Sequence, residues 1–173
     1  GESNGMRVPG CLNGFELAVR AILGQQVTVA AGRTFVQRLV DAFGDPIESP
    51  YPALNRLFPS AERIAQLNAE DLGQLGIVTQ RQNAILALAK AVSNKQLNLS
   101  PSANLAETVH ALHNLPGVGD WTAQYIAMRA LRWPDAFVAG DVAVQKALGL
   151  LQHSPKLSAT KLIAAAELTS QSW

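Results

Sequence analysis

Residues 115–119 read Leu115-Pro116-Gly117-Val118-Gly119, and a single carboxylate, Asp141, follows one helix later behind Gly140. Two glycines flanking one apolar residue, entered by a proline, make a tight turn. The first amides of the helix that follows lack internal partners and lie at the positive end of the helix dipole. Such an end holds an anion, a phosphate for example, without needing a lysine. The same residue types also build ordinary helix–helix connections. Asp120, in the first helical turn, complements the dipole but repels phosphate, so the contact falls to the amides of Gly117 and Gly119. Asp141 has apolar neighbours, Phe137, Val138, Ala139, Val142 and Ala143, and no adjacent cation. It can stabilise a developing positive charge, cap a helix that starts at residue 142, or do both.

Other residues could serve a nucleic acid. Gln25 and Gln26 follow Gly24 at a corner between two helical stretches, where paired amides can touch bases or fill a gap in a duplex, or simply face water. Trp121 and Tyr125 can stack on a base or pack into the core. His110 and His113, three apart, have no third ligand nearby and read as surface residues. Arg33, Arg129, Arg132 and Lys146 are scattered and read as solvated.

The elements that must position these groups are helical. Apolar residues recur at helical spacing over 14–23 (Phe15, Ala18, Val19, Ile22 on one face, Glu16 and Arg20 on the other) and over 28–43, with Gly44 as a terminal cap. Four prolines make 45–59 a loop. Ser60 and Asn68 are N-caps for two short helices, Thr79 caps one running through Val92, and Asn104 with Glu107 has capping-box spacing. A helix over 120–131 is apolar on two sides, Trp121, Tyr125 and Met128 on one, Ala123, Ile126 and Ala130 on the other, which predicts deep burial. Two more helices are expected over 142–151 and 158–168. The turn at 115–119 has a weak echo at Leu75-Gly76-Ile77. The expected class is all-α, about nine helices with short links.

Bulk properties narrow the function. Hydrophobic residues make up 48% of the chain and charged residues 16%, which predicts a folded chain. A net charge of +1 excludes a broad polybasic surface, so any contact with nucleic acid is local. No apolar run reaches the roughly 20 residues of a membrane span. The start lacks the pattern of a signal peptide, so the expected location is the cytoplasm of a bacterial-type cell. The lone cysteine, Cys11, cannot build a cysteine-rich zinc or iron–sulfur site.

In four ordered stretches the chain resembles the helix-hairpin-helix DNA glycosylases, in particular their alkylation-repair branch, the 3-methyladenine DNA glycosylase II type. The stretches run from Phe15 through Gln25 and Gln26 to Val27, from Leu75-Gly76-Ile77 to Arg81, from Leu115 to Ala123, and over Gly140-Asp141. The resemblance implies a single all-α domain over 1–173 with two lobes, roughly 1–45 with 130–173 and roughly 46–129, and the active site in the cleft between them. It implies that Leu115, Pro116, Gly117, Val118 and Gly119 grip a phosphate, in this family often with a monovalent cation. It assigns Asp141 as catalytic, Trp121 and Tyr125 to the base pocket, and Gln26, beside Gln25, to the wedge, a position often held by leucine. Trp121 stands where the strand-cleaving branch has a lysine, which implies a monofunctional enzyme, and no iron–sulfur cluster is expected. Ala139-Gly140 replaces a Gly-Pro order before Asp141. The implied partner is double-stranded DNA containing damaged bases, bound by a monomer, with release of alkylated purines and formation of an abasic site. A non-catalytic DNA-binding module and a glycosylase for other lesions remain alternatives. The family's extra N-terminal domain and further C-terminal helix have no counterpart here, so the chain is expected to be a piece of a longer protein.

Overall fold

α1 (Gly14–Leu23) is buried on nearly every side: Phe15, Leu17, Ala18, Val19, Ala21, Ile22 and Leu23 all lie inside. This structure is a computed structural model that describes residues 8–147. The single apolar face expected for α1 is therefore too narrow. Only Glu16 and Arg20 keep a polar edge, with Arg20 Nε donating to Glu16 Oε1 at 2.8 Å. Burial on all sides follows from position, since α2 (Val29–Phe43), α5 (Thr79–Ser93) and α7 (Asp120–Arg129) each pack against α1. Each fully buried Ile or Leu there contributes about 1.5–3 kcal/mol.

Between them lie α3 (Ala61–Ala65), α4 (Ala69–Gly73) and α6 (Leu105–His113), and α8 (Val142–Ala147) closes the described part. α3 and α4 pack on α5, and α6 packs on α7. One continuous apolar cluster joins α1 to α7. The expected lobe of 130–173 lies mostly outside the described residues, as do the helix over 158–168 and the end of that over 142–151. No described helix is long and apolar enough to cross a membrane.

Local chemistry sets most boundaries. Asn13, Thr28, Ser60, Asn68 and Asn104 each cap a helix by accepting an amide hydrogen. At Asn68 the capping box is complete, because Asp71 Oδ2 accepts from the Asn68 amide at 2.9 Å. Asn104 accepts from the Glu107 amide at 3.2 Å without the return bond. Thr79 is not a cap: Val78 holds that position and makes no side-chain cap bond. Gly44 does end α2, yet in extended rather than left-handed backbone. Its need for glycine is steric, since a side chain there would strike the carbonyls of Leu57 and Val40. Within loop 45–59, an isolated antiparallel bridge joins Pro46 to Arg56, and the Phe58 ring meets Phe15 edge-on at 6.4 Å.

Candidate nucleic-acid interface and active site

The 115–119 turn is a hairpin between α6 and α7. Gly117 has φ +74°, a left-handed conformation that favours glycine, and a Cβ added there would lie 3.1 Å from Ala84 Cβ. Val118, 6% exposed, anchors the loop in the core, while Pro116 and Gly119 face solvent. Gly119 is the N-cap of α7 and has no side chain to cap it. Among the described residues, the amides of Gly117, Gly119, Asp120, Trp121 and Thr122 donate to no protein acceptor. Five such amides at the positive end of a helix make an arrangement that can hold an anion. Asp120 points its exposed carboxylate toward His113, 3.7 Å away, a pair that links the two hairpin helices weakly. His110 is exposed, and the described residues hold no cluster of metal-ligating side chains.

The echo at Leu75-Gly76-Ile77 is structural as well. Gly76 has φ +81°, Ile77 is 2% exposed, and α5 starts without a side-chain cap, as α7 does.

Asp141 stands at the head of α8 and does what a cap does: its Oδ1 accepts from the amides of Ala143 at 2.8 Å and Val144 at 3.1 Å. Its other oxygen, Oδ2, accepts from Trp121 Nε1 at 3.1 Å. The capping residue is thus also the candidate site carboxylate, and it is bonded to the second residue of the helix that carries the free amides. The loop before it is held by Asp141 N donating to Val138 O at 2.9 Å and by Gln145 Nε2 donating to Ala139 O at 3.0 Å.

α7 is not buried on both sides. Thr122, Ala123, Ile126 and Ala127 face the core, whereas Trp121, Tyr125 and Met128 are half-exposed. Trp121 and Tyr125 stack, with centroids 5.2 Å apart and planes 8° from parallel. One turn further, the Arg129 guanidinium lies 5.8 Å from the Tyr125 centroid. Arg129 is therefore not solvated: it packs on the aromatic pair, and its Nε is buried without an acceptor. Trp121 and Arg129 thus both lie against the Tyr125 ring, and both aromatic side chains keep part of their surface open to solvent. Burial pushes the nearby Cys11 thiol up from its ordinary range, against the pull of Arg129 and Arg132.

The two glutamines separate. Gln26 is exposed, with φ +53°. Gln25 is half-buried, and its Nε2 donates to Gly117 O at 3.0 Å and Thr122 Oγ1 at 2.9 Å. Sequence reasoning missed this bond and the stacking of Arg129. A lone hydroxyl on the core side of α7 was the available signal.

Three comparisons bear on what the site belongs to. A family model described as HhH-GPD superfamily base excision DNA repair protein matches residues 19–170. The chain is 41% identical over 153 residues to the probable bifunctional transcriptional activator/DNA repair enzyme AlkA of Mycobacterium tuberculosis, covering 87% of this chain and 30% of that protein. It is 32% identical over 142 residues to DNA-3-methyladenine glycosylase 2 of Escherichia coli, covering 82% and 50%. The chain thus spans half or less of the length of these relatives. Among solved structures it resembles the 3-methyladenine DNA-glycosylase of Archaeoglobus fulgidus, with a TM-score of 0.74 and 26% identity over 93% of this chain and 55% of that one. The all-α architecture is that of this glycosylase fold.

Proposed function

Because the chain belongs to the HhH-GPD superfamily of base excision DNA repair proteins, we propose that it is a monofunctional DNA glycosylase. It hydrolyses the N-glycosidic bond of alkylated purines, 3-methyladenine and 7-methylguanine, in duplex DNA and leaves an abasic site. One observation carries the reading: the Asp141 carboxylate is hydrogen-bonded to Trp121, on the first turn of the helix whose free amides suit a phosphate. A strand held at those amides brings its sugar toward that oxygen.

The damaged nucleotide leaves the stack at a cost of a few kcal/mol, less where pairing is weakened. Gln26 fills the gap. A cationic purine lies against Trp121, attracted by about 0.5–2 kcal/mol of cation–π energy. Its charge already weakens the glycosidic bond, so no general acid is required. Asp141 stabilises the positive charge that develops on the sugar and orients the attacking water. Trp121 has no amine and forms no Schiff base, which limits the reaction to hydrolysis. A monovalent cation fits the hairpin: the carbonyls of Pro116 and Val118 accept nothing among the described residues and are the oxygen donors such an ion takes. It would add positive charge beside the gripped phosphate. The protein acts as a monomer on double-stranded DNA, in the cytoplasm.

Single-turnover release of 7-methylguanine and 3-methyladenine from methylated duplex tests the proposal, with duplex binding measured alongside. Release of both bases is expected. Binding without release would overturn it in favour of a non-catalytic module.

A further inference from the structure

One residue, Gln25, ties the α1–α2 corner to the 115–119 turn, to α7 and to α5. The Gln25 side chain at the α1–α2 corner uses both hydrogens of Nε2, one on the carbonyl of the left-handed Gly117 and one on Thr122 Oγ1. Thr122 is 2% exposed, so its hydroxyl has no access to solvent as a substitute partner. The main-chain carbonyl of Gln25 accepts from Arg81 Nη2, and the Arg81 guanidinium lies 6.0 Å from the centroid of the Phe35 ring. That carbonyl belongs to the peptide joining Gln25 to Gln26. Its plane helps set the backbone of Gln26, which has φ +53°. A non-glycine residue persists in this region only where its surroundings hold it. Arg38 Nη1, from α2, donates to Leu75 O at 2.9 Å and ties in the second hairpin-like turn.

The geometry points to Gln25 as a positioning residue for base extrusion. It fixes Gln26 relative to the Gly117 turn, so that the wedge enters the stack at the nucleotide whose phosphate is held. This inference rests on the glycosylase reading above. Gln25 touches neither base nor sugar; it acts through Gln26 on one side and the hairpin on the other. An extrusion role makes a specific demand. The contribution of Gln25 must scale with the strength of the pairing that has to be broken, and a role in folding alone would not.

The test is Gln25→Leu, which keeps the bulk and removes both donors. Two readouts are taken on the full-length protein: single-turnover release of 7-methylguanine, and fluorescence of a 2-aminopurine placed beside the lesion, which reports unstacking without bond cleavage. Each is measured with the lesion paired to cytosine and with it in single-stranded DNA. Two lost hydrogen bonds predict a fall of about tenfold or more on the paired substrate in both readouts. On the single strand the expected change is under about threefold. Equal losses on both substrates, or none, overturn the inference. Thr122→Val, which removes only the hydroxyl, serves where Gln25→Leu folds poorly. A smaller loss with the same dependence on pairing is expected, and the double variant should be no worse than Gln25→Leu. Additive losses would mean that the two do not act through one bond. A wild-type protein that unstacks the neighbour without releasing base refutes the glycosylase reading, and the pairing dependence of the 2-aminopurine signal in Gln25→Leu then decides by itself whether Gln25 positions the wedge.

Discussion

Trp121→Phe takes away one donor and keeps an aromatic ring at the same place. In the native protein the indole Nε1 donates to Asp141 Oδ2 at 3.1 Å, and the ring stacks on Tyr125 at 5.2 Å. Phenylalanine retains a face for Tyr125 and for a flipped base, so the stacking energy of about 0.5–1.5 kcal/mol mostly survives. The carboxylate loses one of three hydrogen bonds and keeps the Ala143 and Val144 amides. It therefore stays folded against α8 but is no longer aimed by α7. A hydrogen bond to a charged group contributes about 1.5–3 kcal/mol. If most of that serves to hold the oxygen at the sugar, single-turnover excision falls about ten- to hundredfold. Affinity for a duplex bearing an uncleavable abasic analogue should change by less than about threefold. Both are measured at saturating protein by base release and by fluorescence anisotropy. An unchanged rate would refute the claim that Trp121 aims the carboxylate. An affinity loss as large as the rate loss would make Trp121 a stacking platform and nothing more.

Gly117→Ala must adopt φ +74° and pushes a methyl group toward Ala84. It should cost about 1–2 kcal/mol of stability in urea unfolding and weaken duplex binding in anisotropy at least severalfold. Lys95 holds φ +59° in the turn that closes α5, with the Gln96 amide donating to Ala91 O at 2.8 Å. Lys95→Gly relieves the left-handed backbone, and calorimetry should find a melting temperature raised by a few degrees with excision unchanged, as expected for a gain of up to about 1 kcal/mol. A phosphate grip made of main-chain amides on a chain of net charge +1 releases few counterions. The slope of log K against log salt should be about −2 to −4, and a slope near −8 would indicate an extended basic surface.

The helices were readable because their caps and apolar periods are local. Asn68 and Ser60 announce their helices through a bond three residues away, and proline spacing announces the 45–59 loop. What spacing cannot convey is the number of neighbours a helix has. α1 looks one-sided in sequence because Glu16 and Arg20 interrupt it, yet it is enclosed by three helices that arrive from distant segments. α7 errs the other way: one of its two apolar stripes is aromatic and lies open to solvent, so that Trp121 and Tyr125 are only half-buried. Thr79 missed by one residue because Val78, with no capping group, holds the extended backbone that starts α5. At the candidate site, the tight turn at Gly117 and the capping by Asp141 were legible from residue type. The Gln25 bond to Thr122 was not, since it links residues 97 positions apart and nothing in either stretch says which side chain of the other it meets. Arg129 looked like any charged residue near a helix end until the Tyr125 ring was found beneath it.

The central claim is that the Asp141 carboxylate does chemistry on a strand held by the hairpin amides, and Asp141→Asn tests it most directly. The substitution keeps the shape and one acceptor oxygen but sets an amide donor against either Trp121 Nε1 or the α8 amides, so a small stability loss accompanies it. Single-turnover release of 7-methylguanine should fall by at least about a hundred- to thousandfold, while anisotropy on a lesion-bearing duplex shows binding within a few fold of wild type. Release at the wild-type rate from the folded variant would contradict the account.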